Sequence, residues 1–248
     1  MIDLASQILH AFATMSLQQA AFWLIVQNIL QFVICLAVGQ LFVMQFQKHP
    51  IGERPLPLER REVLLALMCV LFNSIVAIIG WLLWKDGVIQ IDNEVGWSAI
   101  RDVIVLVLLM DFLMYVTHRI CHHKLFFSWV HGTHHLYSRP RPLSLFVLNP
   151  LEVFGFGFLW LLVLSFYHSS WLAIVVYLLL NAAWGTIGHI GVEPMPKSWP
   201  KIPILGRLST STFHAQHHQL ENKNFGFYTD VWDRMFGTVN PPYRDSLE

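Results

Sequence analysis

The sequence VLLALMCVLFNSIVAIIGWLLW occupies residues 63–84 and contains no charged side chain. As an α-helix, a stretch of this length measures about 33 Å, slightly more than the hydrocarbon core of a bilayer, which is about 30 Å thick. A buried helix of a soluble protein is rarely this long and this apolar on every face. The stretch therefore predicts a membrane-spanning helix.

The composition of the whole chain supports this prediction. Of 248 residues, 55% are hydrophobic and 13% are charged, and the mean hydropathy is +0.50. Soluble domains carry about 25% charged residues. We therefore expect an integral membrane protein. The formal net charge is zero, so no basic or acidic surface indicates a nucleic acid as a partner.

Further apolar stretches follow on both sides of residues 63–84. Residues 20–46 and 100–117 are each long enough to span a bilayer, whereas residues 153–167 and 171–187 are shorter and adjacent. The last two predict a helical hairpin, which either spans the membrane or enters it and returns. We expect one all-α membrane domain over residues 1–248, with about three spanning helices plus the hairpin, or four to five membrane segments.

The positive charges predict the orientation. The loop after residue 46 carries the basic residues Lys48, Arg54, Arg60 and Arg61, whereas the loop after residue 84 carries Lys85 among three acidic residues. Cytoplasmic loops are enriched in Lys and Arg, so the first loop is predicted to be cytoplasmic. The third helix then returns the chain to the cytoplasm near residue 118. Residues 1–110 would thus form the N-terminal transmembrane helices, and residues 111–248 a region with a cytoplasmic helical cap.

Ten of the thirteen histidines lie in that second region in a clustered pattern. They are His118, His122, His123, His131, His134, His135, His189, His214, His217 and His218. Residues three or four apart share one face of a helix, so each cluster can present several imidazoles to one point. Imidazole binds iron, zinc, copper and nickel, and one zinc site takes three or four ligands. The number of histidines therefore predicts two metal ions.

The surrounding residues narrow the chemistry. The chain has neither the H-E-x-x-H motif of zinc hydrolases nor the Glu-x-x-His motif of carboxylate-bridged di-iron bundles. Iron that activates dioxygen beside a lipid substrate fits the histidine count and the apolar setting. Two alternatives stay open: a histidine-rich membrane metal transporter or metal-binding protein, and a bis-histidine haem protein.

The histidine motifs resemble those of the fatty acid hydroxylase/sterol desaturase superfamily. The resemblance starts near Asp111 and includes His118-Arg119-x2-His122, both H-x-x-H-H motifs, the segment 181–189, and the segments 224–227 and 232–238. It implies a membrane-bound, non-haem di-iron oxidoreductase that hydroxylates or desaturates a sterol-like or fatty acyl lipid. Electrons would come from NAD(P)H through cytochrome b5, ferredoxin or a similar electron-transfer protein. Zinc can replace iron in a preparation, because imidazole binds both.

The resemblance also implies a ligand set. It comprises His118, His122, His131, His134, His135, His189, His214, His217 and His218. Four further residues are candidates as ligands or as hydrogen-bond partners of ligands: His123, Asp111, Asn181 and Asp233. Metal-bound histidines often donate to a carboxylate, so Glu152 and Asp230 are also candidates for that role. We favour Asp111, which lies two helical turns before His118.

Two weaker signals concern the substrate and the membrane. Residues 138–152 resemble the sterol-desaturase side of the superfamily more than the carotenoid-hydroxylase side. Residues 244–248 carry neither a dilysine nor a lumenal retention signal. We therefore expect a bacterial inner membrane, or the endoplasmic reticulum in a eukaryote, with the catalytic face in the cytoplasm.

Overall fold

The computed structural model describes residues 4–240, so residues 244–248, used above to predict the membrane, lie outside the described range. The α-helices in this range are α1 (Leu4–Thr14), α2 (Leu17–Gln45), α3 (Arg60–Lys85), α4 (Trp97–Cys121), α5 (Phe127–Val130), α6 (Gly132–His135), α7 (Pro150–Phe166), α8 (Trp171–Gly188), α9 (Ser211–Gln219) and α10 (Val231–Met235). The prediction of an all-helical membrane protein is confirmed, with one addition. Two short strands, β1 (Ile91–Asp92) and β2 (Ser169–Ser170), pair in parallel.

Local sequence determines where the long helices begin. The Ser16 hydroxyl accepts from the Gln19 N–H, and the Gln19 side chain accepts from the Ser16 N–H, which is a capping box for α2. At α7 the Asn149 side chain accepts from the Leu151 N–H, and Pro150 occupies the first helical position. The Ser170 hydroxyl caps α8 in the same way. These polar residues satisfy backbone groups that lipid could not.

Three helices are long and apolar enough to cross a membrane, and they are not quite the three that the sequence indicated. They are α2, α3 and α8, while α7 is apolar but shorter. The predicted span 100–117 lies within α4. This helix is 25 residues long, but it carries the buried carboxylates Asp102 and Asp111. Its polar side chains serve contacts inside the bundle. Most large apolar side chains of α2 are exposed, as expected for a helix that faces lipid.

Glycine permits close packing between α3 and α7. A Cβ atom on Gly80 would lie 2.8 Å from Leu161, and a Cβ atom on Gly157 would lie 2.8 Å from Val76. Small residues are enriched at membrane helix interfaces for this reason. These two close contacts pack α7, the first helix of the hairpin, against the N-terminal helix α3.

Asp102 holds the turn of the hairpin against the start of α4. Its carboxylate accepts from the Tyr167 hydroxyl at 2.8 Å and from the Ser170 N–H at 3.0 Å. β1, from the loop between α3 and α4, pairs with β2 in the same turn. The turn of the hairpin therefore lies at the same end of the bundle as that loop. The helix α7 runs from the histidine end to this turn, and α8 runs back to the histidine end.

Asp111 connects α4 to the C-terminal segment. One carboxylate oxygen accepts from the backbone N–H groups of Tyr228 and Thr229, and the other accepts from the Thr229 hydroxyl and the Trp232 indole N–H. A carboxylate with four donors is well satisfied in an apolar bundle. The contact positions residues 228–232 beside the helix that carries His118.

We predict that Asp111→Ala lowers the free energy of unfolding by at least about 3 kcal/mol, because four buried donors lose their acceptor. Thermal melting in detergent, followed by tryptophan fluorescence, measures the change. Asp86→Ala, at an exposed position at the end of α3, is the matched control and should cost less than about 0.5 kcal/mol. Equal melting temperatures for the two variants would contradict the role assigned to Asp111.

Candidate metal centre

The nine histidines of the predicted ligand set lie together at one end of the bundle, in two adjacent groups. The first group contains His118, His122, His131, His135 and His217, and the second contains His134, His189, His214 and His218. Within each group, one potential ligand atom from every residue lies within 4.8 Å of all the others. The rings of His135 and His218 are stacked with centroids 4.6 Å apart, so the two groups share a boundary.

Each H-x-x-H-H motif contributes to both groups. His131 and His135 enter the first group, while His134, between them, enters the second. In α9 the assignment is reversed: His214 and His218 enter the second group and His217 the first. In both motifs the two histidines that are four apart enter the same group, and the histidine three residues after the first of them enters the other. The two motifs therefore bridge the groups from opposite sides.

The remaining histidines of the two groups come from helix ends. His118 lies in the last turn of α4 and His122 directly follows that helix. His189 directly follows α8. The helices α4 and α8 pack against one another, so their ends deliver imidazoles to neighbouring positions. The two histidine groups thus lie at the ends of α4 and α8.

Distances between ring nitrogens fit the coordination shell of a metal ion. In the first group, Nε2 of His118 lies 3.0 Å from Nε2 of His131. In the second group, Nε2 of His189 lies 3.2 Å from Nε2 of His134 and 3.1 Å from Nε2 of His214. Two nitrogens that each lie about 2.1 Å from one metal ion, at a right angle, are about 3.0 Å apart.

Hydrogen bonds on the other ring nitrogen set the tautomers. Nδ1 of His118 lies 2.8 Å from the Phe225 carbonyl oxygen, and Nδ1 of His217 lies 2.7 Å from that of Lys223. Nδ1 of His189 lies 2.7 Å from the Gly185 carbonyl oxygen. A carbonyl only accepts, so these Nδ1 atoms carry the proton and the Nε2 atoms of the neutral rings carry lone pairs. Lone pairs that face one another at about 3 Å repel unless a cation lies between them.

Glu152 is the carboxylate that orients a histidine of this centre. Its Oε1 lies 2.6 Å from Nδ1 of His131, and both side chains are buried. The residue lies in the first turn of α7, where the positive end of the helix dipole favours a carboxylate. Among the carboxylates considered from the sequence, Glu152 makes this contact and the favoured Asp111 does not. A carboxylate–histidine pair of this kind raises the basicity of a metal ligand.

Three buried ring nitrogens lack a hydrogen-bond partner within the described residues: Nε2 of His122, Nδ1 of His135 and Nδ1 of His218. A buried polar atom without a partner costs about 1–3 kcal/mol. For His122 that cost is removed if Nε2 binds a cation shared with the other four imidazoles of the first group. The donor set therefore fits a bound metal at this position.

A tight loop holds the acceptor of His118 in place. Asp233 is fully buried and accepts from the backbone N–H groups of Phe225 at 2.8 Å and Gly226 at 2.7 Å. A Cβ atom on Gly226 would lie 2.1 Å from the Thr229 carbonyl oxygen, so no other residue fits. The candidate Asp233 thus acts on His118 through the loop and has no direct contact with an imidazole. Gly226 lies within one of the family motifs of the sequence, which assigned it no role, and sequence reasoning missed the carbonyl acceptors because backbone groups leave no residue-type signal.

Two other candidates lie outside both groups. His123 is exposed, and its Nδ1 accepts from the Leu125 N–H at 3.4 Å. Asn181 accepts from the Tyr228 hydroxyl at 2.7 Å, within the bundle between α8 and the C-terminal segment. Neither residue contacts a histidine ring in these hydrogen bonds. The tenth histidine of the clusters is therefore separate from the other nine.

Burial keeps the imidazoles neutral. Desolvation by burial, and then the neighbouring His118, lower the pKa of His135 from 6.5 to about 3. The pKa of His134, His217 and His218 lies well below its ordinary value, first because of burial and then because other imidazoles are close. A neutral imidazole is the form that binds a metal ion. The centre is therefore ready to bind metal at neutral pH.

Comparisons with known proteins agree with this chemistry. Residues 103–238, more than half of the chain, match the fatty acid hydroxylase family. The chain is 26% identical to a lathosterol oxidase from Rattus norvegicus over 242 residues, which cover 91% of this chain and 77% of that protein. It is 25% identical to a Delta(7)-sterol 5(6)-desaturase from Leptosphaeria maculans over 146 residues, 59% of this chain and 39% of the relative.

A third similarity is to a protein named for a different reaction. The chain is 27% identical to a very-long-chain aldehyde decarbonylase from Oryza sativa subsp. indica over 155 residues, 58% of this chain and 24% of the relative. No solved structure matches the chain significantly.

We predict that the metal-free protein loses stability as the pH falls below about 6.5. In the folded protein the pKa of His135 is about 3, whereas in the unfolded chain it returns to 6.5, so the unfolded state binds more protons below that pH. Above pH 6.5 the ring is neutral in both states and stability is unaffected. Thermal melting at pH 7.5, 6.5 and 5.5 in the presence of a chelator measures the effect. A constant melting temperature across this range would contradict the buried neutral imidazoles.

Proposed function

The chain belongs to the fatty acid hydroxylase family of membrane-bound, lipid-oxidising enzymes, and we propose that it is a non-haem di-iron oxidoreductase. It uses dioxygen and two external electrons to hydroxylate or desaturate a carbon–hydrogen bond of a lipid. The observation that carries the proposal is the pair of adjacent histidine groups at the ends of membrane helices. Nine imidazoles in two groups match two metal ions that both lie close to lipid.

The ligand set of the proposal follows the two groups. His118, His122, His131, His135 and His217 hold one iron ion, and His134, His189, His214 and His218 hold the other. Iron bound there supplies the activation of dioxygen and the abstraction of hydrogen from carbon. In hydroxylation, one lipid, one dioxygen, two electrons and two protons give an alcohol and one water. In desaturation, the same inputs give a double bond and two waters.

The protein supplies orientation and a dry environment. Four rings are held through Nδ1, so that Nε2 faces the proposed metal position. The acceptors are the carbonyl groups of Phe225, Lys223 and Gly185 and the carboxylate of Glu152. Most of the ligand rings are buried, and His217 is fully so. Exclusion of water protects the reaction from side products and strengthens the electrostatic interactions at the centre.

A small cavity borders the second histidine group, where a small molecule could approach. It has a volume of about 10 Å³ and is lined by His189 and His214 of the second group, together with Trp184, Thr210 and Phe227. This volume is close to what one water molecule needs. The second group also offers four imidazoles where the first offers five. We therefore place the access of small molecules at the second group.

A sterol-like lipid is the favoured substrate class, and a fatty acyl lipid is the other candidate. The lathosterol oxidase that matches 91% of the chain, and the sterol desaturase, are both named for sterol chemistry. The aldehyde decarbonylase supports an acyl chain, over a shorter segment. Both substrate classes partition into the bilayer beside the metal centre.

We further propose that the histidine end faces the cytoplasm. The chain carries most of its basic loop residues at this end, and Lys85 lies at the opposite end. Electrons would come from NAD(P)H through a soluble or membrane-bound carrier such as cytochrome b5 or ferredoxin. The bacterial inner membrane, favoured from the sequence, and the endoplasmic reticulum, favoured by eukaryotic relatives, are both consistent with this orientation.

The metal-transporter alternative fits the geometry less well. Transport sites lie near the middle of the bilayer on interrupted helices. Here His118 and His189 lie at the ends of α4 and α8, and the other ligands lie in the cap. Metal flux into sealed vesicles without any lipid oxidation would replace the proposal with transport.

We predict that His131→Ala and His218→Ala each reduce turnover by more than about 100-fold. Loss of a residue that only hydrogen-bonds to a metal ligand already lowers metal affinity or activity by about 10- to 100-fold, and loss of the ligand itself should lower it further. Membrane insertion should be unchanged, because the spanning helices do not depend on the metal. His123→Ala is the matched control, since this histidine is exposed and outside both groups. Turnover by either variant at the level of His123→Ala would remove that residue from the ligand set.

We predict that cells expressing the chain accumulate a lipid that has gained one oxygen atom or lost two hydrogen atoms. Lipid mass spectrometry with and without expression identifies the product, and cells that express His131→Ala serve as the control. Product formation should stop without dioxygen, and the protein loaded with iron under anaerobic conditions should bind about two ions per chain. Continued product formation in strict anaerobiosis would exclude an oxygenase.

A further inference from the structure

A groove runs along the outward face of α4 and lies apart from both histidine groups. Its volume is about 550 Å³, and its walls are largely apolar. Phe112, Val116 and Ile120 of α4, here called the floor residues, line it together with Phe126 and Phe236. The floor residues are four apart, so they share one helix face. They extend over about 12 Å along the helix, and the groove is therefore elongated in the direction of a lipid chain.

The polar mouth of this groove is cationic. Arg119 and His123 line the same groove, and Lys124 follows in the sequence. The helix ends at Cys121, so these residues lie at the histidine end of α4, while Phe112 lies more than two turns deeper. In a membrane, the end of a spanning helix lies at the level of the lipid headgroups. The groove thus places the Arg119 guanidinium at headgroup depth and apolar walls at acyl-chain depth.

The fold holds the Arg119 guanidinium in position. Its Nη1 donates to the Tyr115 hydroxyl at 3.2 Å, and the Tyr115 ring stacks on Phe236 with centroids 5.5 Å apart. The Tyr115 hydroxyl is in turn 3.0 Å from the Thr238 hydroxyl. Within the part of the chain that the structure describes, no carboxylate forms a salt bridge with Arg119. Most of its five N–H donors therefore remain for a ligand, and a phosphate matches their geometry.

Aromatic rings separate the groove from the metal centre. The Tyr115 ring lies between Phe236, which lines the groove, and Phe225, whose ring centroid is 5.8 Å from that of His118. A molecule in the groove would contact this aromatic layer and not the ligand nitrogens. The groove is therefore a site distinct from the position of the reacting carbon.

We propose that this groove binds an anionic phospholipid of the surrounding bilayer. The phosphate interacts with Arg119, and one acyl chain lies along Phe112, Val116 and Ile120. A zwitterionic phospholipid fits the apolar walls equally well but lacks the net negative charge that the cationic mouth favours. The bound lipid also packs against the Tyr115 and Phe236 rings that line the groove.

Native mass spectrometry of the full-length protein in detergent tests the proposal with phosphatidylglycerol and phosphatidylcholine as probes at equal concentration. The wild-type chain should retain phosphatidylglycerol about tenfold more than phosphatidylcholine, and Arg119→Gln should abolish that preference. Arg60→Gln, which removes an exposed arginine at the start of α3 at the same end of the bundle, is the matched control and should keep it. Equal retention of both lipids by the wild-type chain, or equal loss in both variants, would overturn the proposal.

A second variant tests the apolar half of the site. Val116→Phe fills the floor of the groove and leaves the arginine unchanged, so retention of phosphatidylglycerol should fall several-fold at an unchanged melting temperature. Should this variant fail to fold, the comparison of Arg119→Gln with Arg60→Gln decides alone. Retention at the wild-type level in folded Val116→Phe would exclude the groove as the lipid site. Neither measurement depends on turnover, so its outcome is independent of the proposed reaction.

Discussion

The convergence of unprotonated imidazole nitrogens is the constraint on which the rest of this structure depends. Nine rings direct nitrogen lone pairs into two small volumes, where water is largely excluded. Such an arrangement repels itself unless cations neutralise it. The protein orients four of these rings in advance: backbone carbonyls hold the proton on Nδ1 of His118, His189 and His217, and Glu152 contacts Nδ1 of His131. Preorganisation of this kind means that the cost of orienting the ligands falls on folding and not on metal binding.

The membrane scaffold explains how so polar a centre is tolerated in an apolar chain. Spanning helices satisfy their own backbone groups, so buried polar side chains such as Asp102 and Asp111 are left to join segments to one another. Asp102 holds the far turn of the hairpin, and Asp111 holds the C-terminal segment near the histidine end. The two carboxylates therefore fix the first turns and the middle of α4. That helix supplies His118 on one face and the lipid groove on another.

The two histidine groups differ in their surroundings. The second histidine group has fewer imidazoles and borders the small cavity, whereas the first is supported by Glu152 and by the loop at Gly226. Hydrogen bonds thus hold the first histidine group in place, and the proposed access of small molecules lies at the second. The Tyr115 and Phe225 rings lie between the first group and the groove on α4, so a lipid bound there would contact this layer and not the imidazoles.

The residues themselves determined much of this protein. Uninterrupted apolar stretches predicted the helix bounds to within four residues, since a spanning helix has no alternative partner for its backbone. The spacing of the histidines indicated that several of them in each cluster could face one point, because three- and four-residue intervals share a helix face. Only the tertiary structure decided how the nine divide into two groups, that Glu152 and not Asp111 contacts a ring, and that His123 lies outside. Those outcomes depend on backbone carbonyls and on the mutual rotation of helices, which are set by packing between distant segments and are not encoded in any single stretch.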